Sequence, residues 1–198
     1  MAPAIVLAAG ASARMGTPKP LLMLGGKTFL RRVLDALRDG GVSDVVVVVR
    51  PDAFAIETEV ALAGFGRPVR NPRPDDGQLS SLLTGLDAID APGIDRVMVT
   101  LADVPAISAG AVRALLDRAA ISPAPIVRAA HQGRHGHPVI FGRAVFDALR
   151  GADRSIGAKA VFAAFAVEDV EVHDPGVLED VDTPADYARV RGYDILSP

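Results

Sequence analysis

Short apolar runs alternate with longer stretches in which apolar residues recur every three or four positions. The runs 4–8, 44–49 and 96–103 are rich in β-branched residues, and the last of them ends in a carboxylate. Short buried runs separated by segments of helical periodicity are typical of a mostly parallel sheet covered by helices. The pattern therefore predicts the α/β class, with residues 96–103 as a central strand.

Helical periodicity predicts the elements that cover this sheet. In the first such segment the apolar side chains fall on one face, and Gly40-Gly41 ends the pattern. Ser108 is the expected N-cap of a later helix, and Thr183-Pro184-Ala185-Asp186 has the composition of a capped helix start. The predicted helices are the segment with Phe29, Leu30, Val33, Leu34 and Leu37, residues 54–62, the segment from Leu79 to Leu86, and residues 108–119 and 155–165.

The pattern changes after residue 126. Two apolar runs flank a loop at residues 131–137 and predict a hairpin-like pair, so we expect a small antiparallel part here. Residues 68–70 and 167–172 predict further short strands, and residues 71–78 predict a turn region. A length of 198 residues with 49% apolar content lies within the range of one domain. We therefore expect a single domain over residues 1–198.

Composition excludes several classes of function. The chain has no cysteine, which excludes disulfides, thiolate nucleophiles and iron–sulfur clusters and is compatible with a reducing cytoplasm. A net charge of −3 and a pI near 5.8 give no general reason to bind nucleic acid or an anionic membrane. No apolar run reaches the roughly 18 residues of a membrane-spanning helix. We expect a cytoplasmic protein that binds any anionic ligand with a few placed cations and backbone donors.

A loop of small and basic residues, L-A-A-G-A-S-A-R-M-G-T-P-K, spans residues 7–19 after the first strand. Open α/β sheets bind ligands at the carboxyl ends of their strands. Small residues allow backbone N–H groups to approach phosphates, and Arg14 and Lys19 add positive charge. The glycines fit neither the dinucleotide fingerprint nor a Walker loop. The loop is a candidate phosphate site, and a tight turn with two solvated cations is the alternative.

Carboxylates at two distant places are candidate metal ligands. Asp103 ends the central strand, so it should face the ligand crevice, although it could also cap the next turn. In an extended segment, Asp180 and Asp182 would share one face. Hard oxygen donors of this kind suit Mg²⁺, which fills its other positions with phosphate and water. The D-x-D spacing of residues 180–182 also fits a glycosyltransferase that holds a sugar nucleotide through metal.

Two further segments carry candidate binding residues. Gly77-Gln78-Leu79-Ser80-Ser81 precedes a predicted helix, where side chains and N–H groups can either meet a ligand or cap the helix. The segment 133–141, G-R-H-G-H-P-V-I-F, contains two histidines, but no third ligand for zinc is evident nearby. His137 and Pro138 are better candidates for shaping a binding pocket, or for a structural turn.

Taken in order, these elements resemble the molybdenum cofactor nucleotidyltransferases, within the larger class of nucleotide-diphosphate-sugar pyrophosphorylases. The signature of that family, L-A-A-G-x-S-x-R-M-G-x-P-K, is met at every fixed position of residues 7–19. The other matching elements are the D-x-P segment at Asp103, G-x-x-S-S at Gly77, G-H-P-V-x-F at Gly136 and the D-I-D-T-P-x-D-like segment at Asp180. The resemblance implies a Rossmann-like three-layer α/β/α nucleotide-diphospho-sugar transferase fold and a nucleotidyltransferase activity that releases pyrophosphate.

The resemblance also implies roles for individual residues. Arg14 and Lys19 would be catalytic, neutralising charge as pyrophosphate leaves, and Asp103 would act with them through the metal. Mg²⁺ would be bound by Asp103 and Asp182. His137 and Pro138 would shape the pocket for the acceptor. The nucleotide would be bound by the loop and by the G-x-x-S-S segment, which together contribute Leu7, Ala8, Ala9, Gly10, Ser12, Arg14, Lys19, Gln78, Ser80 and Ser81.

For the substrates, the Ala-Ala-Gly start of the loop is similar to the cytidylyl branch of the family, which implies CTP. The implied acceptor is the phosphate of molybdenum-loaded molybdopterin, with handover of the product to a molybdenum hydroxylase or its chaperone. One departure concerns residues 151–159, which are longer than the family's G-D-x-G-A-R turn and end in Lys159. Another NTP, a sugar or polyol phosphate acceptor, and a nonenzymatic nucleotide or cofactor carrier therefore stay open.

Overall fold

A computed structural model of the chain describes residues 2–10, 17–154 and 156–195, with side chains described through residue 191. The described strands are β1 (Ala4–Leu7), β2 (Met23–Leu24), β3 (Lys27–Thr28), β4 (Val45–Val49), β5 (Arg67–Arg70), β6 (Arg96–Leu101), β7 (Ile126–His131), β8 (Arg134–Gly142) and β9 (Val167–Glu171). The described α-helices are α1 (Phe29–Gly40), α2 (Phe54–Ala63), α3 (Gln78–Ile89), α4 (Ala109–Ile121), α5 (Phe146–Arg150), α6 (Lys159–Ala164) and α7 (Pro184–Ile195).

The main sheet has the strand order β5-β4-β1-β6-β8-β7-β9. β8 runs antiparallel to β6 and β7, and the other neighbouring strands pair in parallel. Val99 of β6 pairs with Val139 of β8, so β8 begins at the edge of the sheet where β1 and β6 end. The predicted α/β class, with a mostly parallel sheet and a small antiparallel part, is confirmed.

Two apolar layers lie on opposite faces of the sheet. Alternate residues of a strand point to opposite faces; Val47 therefore packs in one layer and its neighbours Val46 and Val48 in the other. The first layer is covered by α1, α2 and α4, and the second by α3, α5 and α6. All five valines of β4 are fully buried. The chain thus forms the three-layer α/β/α arrangement that was predicted.

The ends of the helices follow their local sequence. The Thr28 side chain accepts a hydrogen bond from Arg31 N at the start of α1, and Gly41 adopts a φ of 99° at its end. That φ lies in the left-handed region, which glycine adopts without steric penalty. The Ser108 hydroxyl accepts a hydrogen bond from Ala111 N and caps α4, as predicted.

Two predicted elements have different bounds in the structure, and one helix was not predicted. The loop predicted at residues 131–137 is a short turn around Gln132-Gly133, because the polar residues from Arg134 to His137 already belong to β8. The carboxylate of Glu171 accepts hydrogen bonds from the N–H groups of this turn, which lets the ladder reach its tip. The helix predicted at 155–165 is limited to Lys159–Ala164, and the helix Phe146–Arg150 was not predicted.

No helix in the described part of the chain is both long and apolar enough to span a membrane.

Candidate functional site

The first part of the site is the end of β1. Ala8 N donates to Val48 O at 2.8 Å and Ala102 N donates to Leu7 O at 3.0 Å, so the chain stays in the sheet as it leaves the strand. Ala8 and Ala9 are buried and Gly10 is exposed. A side chain on Gly10 would meet no atom within 4 Å. The predicted site residues Ser12 and Arg14 lie outside the described residues.

Lys19 is held at the far end of this loop by a turn of 3-10 helix, Lys19–Leu21. Leu21 N donates to Pro18 O at 2.9 Å and Leu22 N donates to Lys19 O at 3.0 Å. The Lys19 ammonium donates to Asp103 Oδ2 at 3.0 Å and to Asp182 Oδ1 at 2.5 Å. Three residues that the sequence placed in the site are therefore in contact, and we call them the Lys19 centre.

Backbone contacts bring Asp182 to the end of β6. Val181 N donates to Asp103 O at 2.9 Å, and the Val181 side chain is fully buried beside Phe29. Thr183 and Asp186 then form a reciprocal cap, in which Asp186 N donates to Thr183 Oγ1 and Thr183 N donates to Asp186 Oδ2. This is the capping-box pattern, and it starts α7 directly after Asp182. The predicted capped start at residues 183–186 is confirmed.

The Lys19 centre is partly shielded from water, with side-chain exposures of 14% for Lys19, 24% for Asp103 and 53% for Asp182. Burial acts to lower the pKa of Lys19, but the hydrogen bonds and charges of Asp182 and Asp103 outweigh it, so the pKa of Lys19 is raised above its ordinary 10.5. Lys19 is thus held firmly in its charged form. Two carboxylates share this one ammonium among the described side chains, which leaves the centre with an excess of negative charge.

The donor set fits a hard divalent cation. Two carboxylates from distant segments converge on a single cationic nitrogen, at 3.0 and 2.5 Å. Mg²⁺ takes ligand oxygens at about 2.0–2.1 Å, so the carboxylates would have to close in by less than about 1 Å. No cluster of three or more acidic, histidine or cysteine side chains that could hold a metal occurs among the described residues. A cation here therefore needs further oxygens, which phosphate and water supply.

A cavity of about 780 Å³ adjoins the Lys19 centre on the face of the sheet that carries α3 and α6. Val104, next to Asp103, and Asp180, two residues before Asp182, line it. Its apolar wall includes Leu82, Val99, Leu101, Phe141 and Phe162. Its cationic side chains are Arg128, Arg134, Arg154 and Lys159. The cavity therefore offers an apolar wall together with positive charge.

The cationic residues of the cavity differ in how they are held. Arg128 donates to both carboxylate oxygens of Asp169 at 2.8 and 3.2 Å, and its guanidinium lies 5.4 Å from the centre of the Phe162 ring. Arg154 donates to Asp76 at 2.7 Å. Arg134 and Lys159 are exposed, and neither forms an ion pair with a described residue. These two side chains are therefore available to an anionic ligand.

His137 lies at the start of β8 in the wall of the cavity. Burial lowers its pKa, although the charge of Asp103, a hydrogen bond with the Val99 main chain and the charge of Asp180 act in the opposite direction. The imidazole is therefore neutral near pH 7. Its Nδ1 atom is covered and has no hydrogen-bond partner. Pro138 is buried and is not part of the cavity wall.

Close packing fixes this part of β8. A Cβ atom on Gly136 would lie 1.9 Å from Val177 O, so a larger residue cannot replace glycine without moving the 3-10 helix Pro175–Leu178. Val177 and Leu178 of that helix also line the cavity. The glycine of the G-H-P-V-x-F segment thus allows the chain that leads to Asp180 and Asp182 to cross directly against β8.

In the G-x-x-S-S segment, one residue lines the cavity and the two serines form structural hydrogen bonds. Gln78 lines the cavity at the start of α3. Asn71 Nδ2 donates to Ser80 Oγ and to Ser81 Oγ, at 3.1 Å each, and Ser80 Oγ donates to Arg73 O at 2.8 Å. The two serines therefore brace the turn after β5, and their role in nucleotide binding stays a prediction. Asn71 was not among the predicted site residues, since nothing in its neighbourhood marked it except the turn itself.

Sequence reasoning also missed Arg128, Arg134 and Arg154 as parts of the cavity. Arg128 interrupts the apolar run of β7, where Val127 and Ala129 are fully buried, so a charged residue within this buried run was a usable signal. Arg134 was read as part of a loop and Arg154 as part of a turn. Lys159 had been singled out as a departure from the family pattern, and it does line the cavity.

Comparisons with known proteins agree with this architecture. PucB of Bacillus subtilis (strain 168), a purine catabolism protein, is 28% identical over 204 residues, which span 94% of each chain. Nicotine blue oxidoreductase of Paenarthrobacter nicotinovorans is 30% identical over 190 residues, 90% of this chain and 91% of that protein. The crystal structure of Rv0371c from Mycobacterium tuberculosis H37Rv superposes with a TM-score of 0.82 at 28% identity and covers 97% of this chain and 99% of that one.

A second crystal structure of Rv0371c, with a TM-score of 0.76, is a complex with manganese. It shows that a relative with this fold and 28% identity, aligned over 96% of this chain, takes up a divalent cation. The family model of the MobA-like NTP transferase domain matches residues 4–170, which contain β1, β6, Lys19, Asp103 and the cavity-lining part of β8. The chain belongs to the MobA-like NTP transferase domain family.

Proposed function

We propose that the protein transfers CMP from CTP to the phosphate of molybdenum-loaded molybdopterin, releases pyrophosphate and forms the cytosine dinucleotide. The observation that carries this proposal is the Lys19 centre, in which one lysine and two carboxylates meet beside the cavity. Membership of the MobA-like family supports the nucleotidyl transfer. The choice of CTP and of this acceptor rests on the resemblance of residues 7–19 to the cytidylyl branch.

The proposed reaction is an in-line displacement at the α-phosphorus of the nucleotide. An oxygen of the acceptor phosphate forms a new P–O bond, while the bond from the α-phosphorus to the bridging oxygen breaks and pyrophosphate leaves with that electron pair. A phosphate is already ionised near neutral pH, so it requires no general base. The protein can then act by alignment and by neutralising charge.

Individual residues have proposed roles in alignment and in charge neutralisation. Lys19, and by resemblance Arg14, would bind the phosphates that leave. Asp103 and Asp182 would hold Mg²⁺, which neutralises triphosphate charge when it is bound. His137 is neutral and cannot serve as a cation for the phosphate, so Arg128, Arg134 and Lys159 are the candidates for binding the anionic acceptor.

The residues that line the cavity support an acceptor that combines a ring system with phosphate. Phe141 and Phe162 provide aromatic wall next to the guanidinium of Arg128, and the rings lie 5.8 Å apart in an edge-to-face arrangement. A heterocycle can pack against this aromatic wall while its phosphate reaches the cations. A sugar or polyol phosphate would use the cations and leave the apolar wall uncovered.

The test is pyrophosphate release with Mg²⁺, measured for CTP, GTP, ATP and UTP against molybdenum-loaded molybdopterin, with acceptor-free controls. We expect release with CTP and the acceptor together, and little with either substrate by itself. Folded protein that releases no pyrophosphate with any nucleotide would contradict the proposal. Release of nucleoside diphosphate would instead indicate a glycosyltransferase, and tight binding without turnover would indicate a carrier.

A second experiment tests for the redox activity that the name of the relative nicotine blue oxidoreductase suggests. Oxidation of NADH or NADPH is followed by absorbance with the same protein and the same acceptor. We expect no oxidation, because residues 7–19 do not form the dinucleotide fingerprint. Nicotinamide oxidation without pyrophosphate release would replace the transferase proposal with a redox function.

A further inference from the structure

The Lys19 ammonium occupies the point at which the two proposed metal ligands converge. It donates to Asp103 Oδ2 and Asp182 Oδ1, so both carboxylates share this one positive charge. A divalent cation bound to these same oxygens and an ammonium in this place exclude each other, because they need the same ligands and repel each other. The Lys19 ammonium must therefore move before both carboxylates can hold metal.

The local structure permits such a movement without refolding. The main chain of Lys19 is fixed by the 3-10 turn and by Pro18 and Pro20 on either side, and Pro20 is buried. The side chain carries its charge on a flexible four-carbon stem with rotatable donors. Rotation about the side-chain bonds can redirect the ammonium while the backbone stays in place.

The charge balance decides when the movement is favourable. Without ligands, the ammonium stabilises two carboxylates that would otherwise repel each other at the end of β6. A triphosphate brings several negative charges and can take over the ammonium as it brings its own oxygens to the metal. Metal without nucleotide has to compete with Lys19, and nucleotide without metal has to approach two carboxylates.

We propose that Lys19 is an internal counter-ion that holds the divalent-cation position between Asp103 and Asp182 until metal and nucleotide bind together. Displaced from the carboxylates, the ammonium then pairs with the phosphates of the nucleotide. The inference rests on the proposed function for the identity of the nucleotide, but its core is a competition between Lys19 and a divalent cation. By linkage, each of metal and nucleotide then increases the affinity of the other.

Binding of Mn²⁺ in the absence of nucleotide tests this competition directly. The concentration of free Mn²⁺ is followed by electron paramagnetic resonance for wild type, Lys19→Met and Lys19→Gln. We expect both variants to bind Mn²⁺ about tenfold more tightly than wild type, because the competing positive charge is gone. Binding of CTP in the presence of Mg²⁺, measured by calorimetry without acceptor, should become weaker in the same variants.

Lys27→Met is the matched control, because Lys27 also pairs with an aspartate, at 2.7 Å from Asp35, but lies outside the Lys19 centre. It should bind Mn²⁺ as wild type does. Thermal unfolding with and without Mn²⁺ gives a second readout: Mn²⁺ should raise the melting temperature of the Lys19 variants more than that of wild type. The comparison of Met with Gln separates loss of charge from loss of a polar side chain.

Asp103→Asn distinguishes the failure of this inference from the failure of the proposed function. If Asp103→Asn abolishes Mn²⁺ binding but Lys19→Met and Lys19→Gln bind Mn²⁺ no more tightly than wild type, the counter-ion role is wrong and the metal site stands. If Asp103→Asn leaves Mn²⁺ binding unchanged in both the wild-type and the Lys19→Met background, the carboxylates are not the metal site. That result would overturn the inference together with the proposed metal ligands.

Discussion

Two centres in this protein pair a lysine with aspartate, and they have opposite charge balances. In the Lys19 centre, one ammonium is shared by two carboxylates. In the Asp35 cluster, one carboxylate on α1 is shared by Lys27 at 2.7 Å, Arg31 at 3.1 Å and Arg38 at 3.0 Å. The first centre has carboxylate oxygens in excess for a divalent cation, whereas the second has none to offer. If the Lys19 centre binds a cation as proposed, the balance of charges, rather than the presence of an ion pair, distinguishes it from a structural cluster.

Exposure to solvent does not separate the two centres. Asp35 is 12% exposed and Asp103 is 24% exposed at the side chain, so both carboxylates are partly shielded. Their places in the fold do differ. Asp103 follows the carboxyl end of a central strand, where α/β sheets bind ligands, while Asp35 lies within a helix. Topology and charge balance together support the proposed role of the Lys19 centre.

The largest effect should come from removing a carboxylate of the Lys19 centre. We expect Asp103→Asn to lower the rate of pyrophosphate release by at least ~10²-fold, since the charge that holds the cation is lost while shape is kept. The fold should persist because Asp182 still pairs with Lys19. Turnover is measured alongside far-UV circular dichroism. A folded Asp103→Asn protein with normal turnover would end the assignment of this centre to catalysis.

The corresponding change in the Asp35 cluster should act on stability instead. Asp35→Asn leaves Lys27 and Arg31 without their shared carboxylate, while Arg38 keeps its pair with Asp39 at 3.1 Å. We expect a loss of about 2 kcal/mol in the free energy of unfolding. Turnover should not change. Urea unfolding at pH 7 measures the first quantity and pyrophosphate release the second. A drop in turnover with unchanged stability would reverse the roles that the comparison assigns.

A smaller effect is expected at Arg128, whose pair with Asp169 has one charge of each sign. The guanidinium has further N–H groups that do not donate to Asp169, and the acceptor should bind to these. Arg128→Gln should therefore raise the KM for the acceptor about tenfold and leave the KM for CTP unchanged. Arg118→Gln is the matched control, because Arg118 pairs with the neighbouring Glu168 and does not line the cavity. An equal change in both KM values would place Arg128 outside acceptor recognition.

The sequence predicted the sheet, and the place of Asp103 at its edge, for physical reasons. Buried strands such as β4 consist of consecutive valines, and parallel strands bring their carboxyl ends to one edge, so the position of Asp103 followed from periodicity. The position of Asp182 was harder to predict, because it depends on the backbone hydrogen bond from Val181 N to Asp103 O. The family resemblance, rather than spacing, made that connection.

The remainder of the site depends on contacts that a local pattern does not contain. The cavity draws Arg128 from β7, Arg154 from a turn and Lys159 from α6, segments that meet through tertiary packing. Polar residues at the start of β8 resemble a loop in sequence, yet they pair with β7 up to the turn at Gln132. Likewise, nothing in the sequence indicated that Asn71 holds Ser80 and Ser81.

The smallest expected effect is the pH dependence of the Asp35 cluster. Burial acts to raise the pKa of Asp35, but the hydrogen bonds and charges of Lys27 and Arg31 outweigh it, and the pKa lies below its ordinary 3.8. Because the folded state then holds this proton less tightly than the unfolded state, the stabilisation is present above pH 3.8 and is lost as the pH falls through the lower folded value.

The stability difference between wild type and Asp35→Asn should stay constant from pH 7 to pH 5 and shrink only below about pH 4. Urea unfolding of both proteins across this range measures the difference. A difference that already shrinks between pH 7 and pH 5 would mean that the three cations do not hold Asp35 ionised, and the contrast with the Lys19 centre would lose its electrostatic basis.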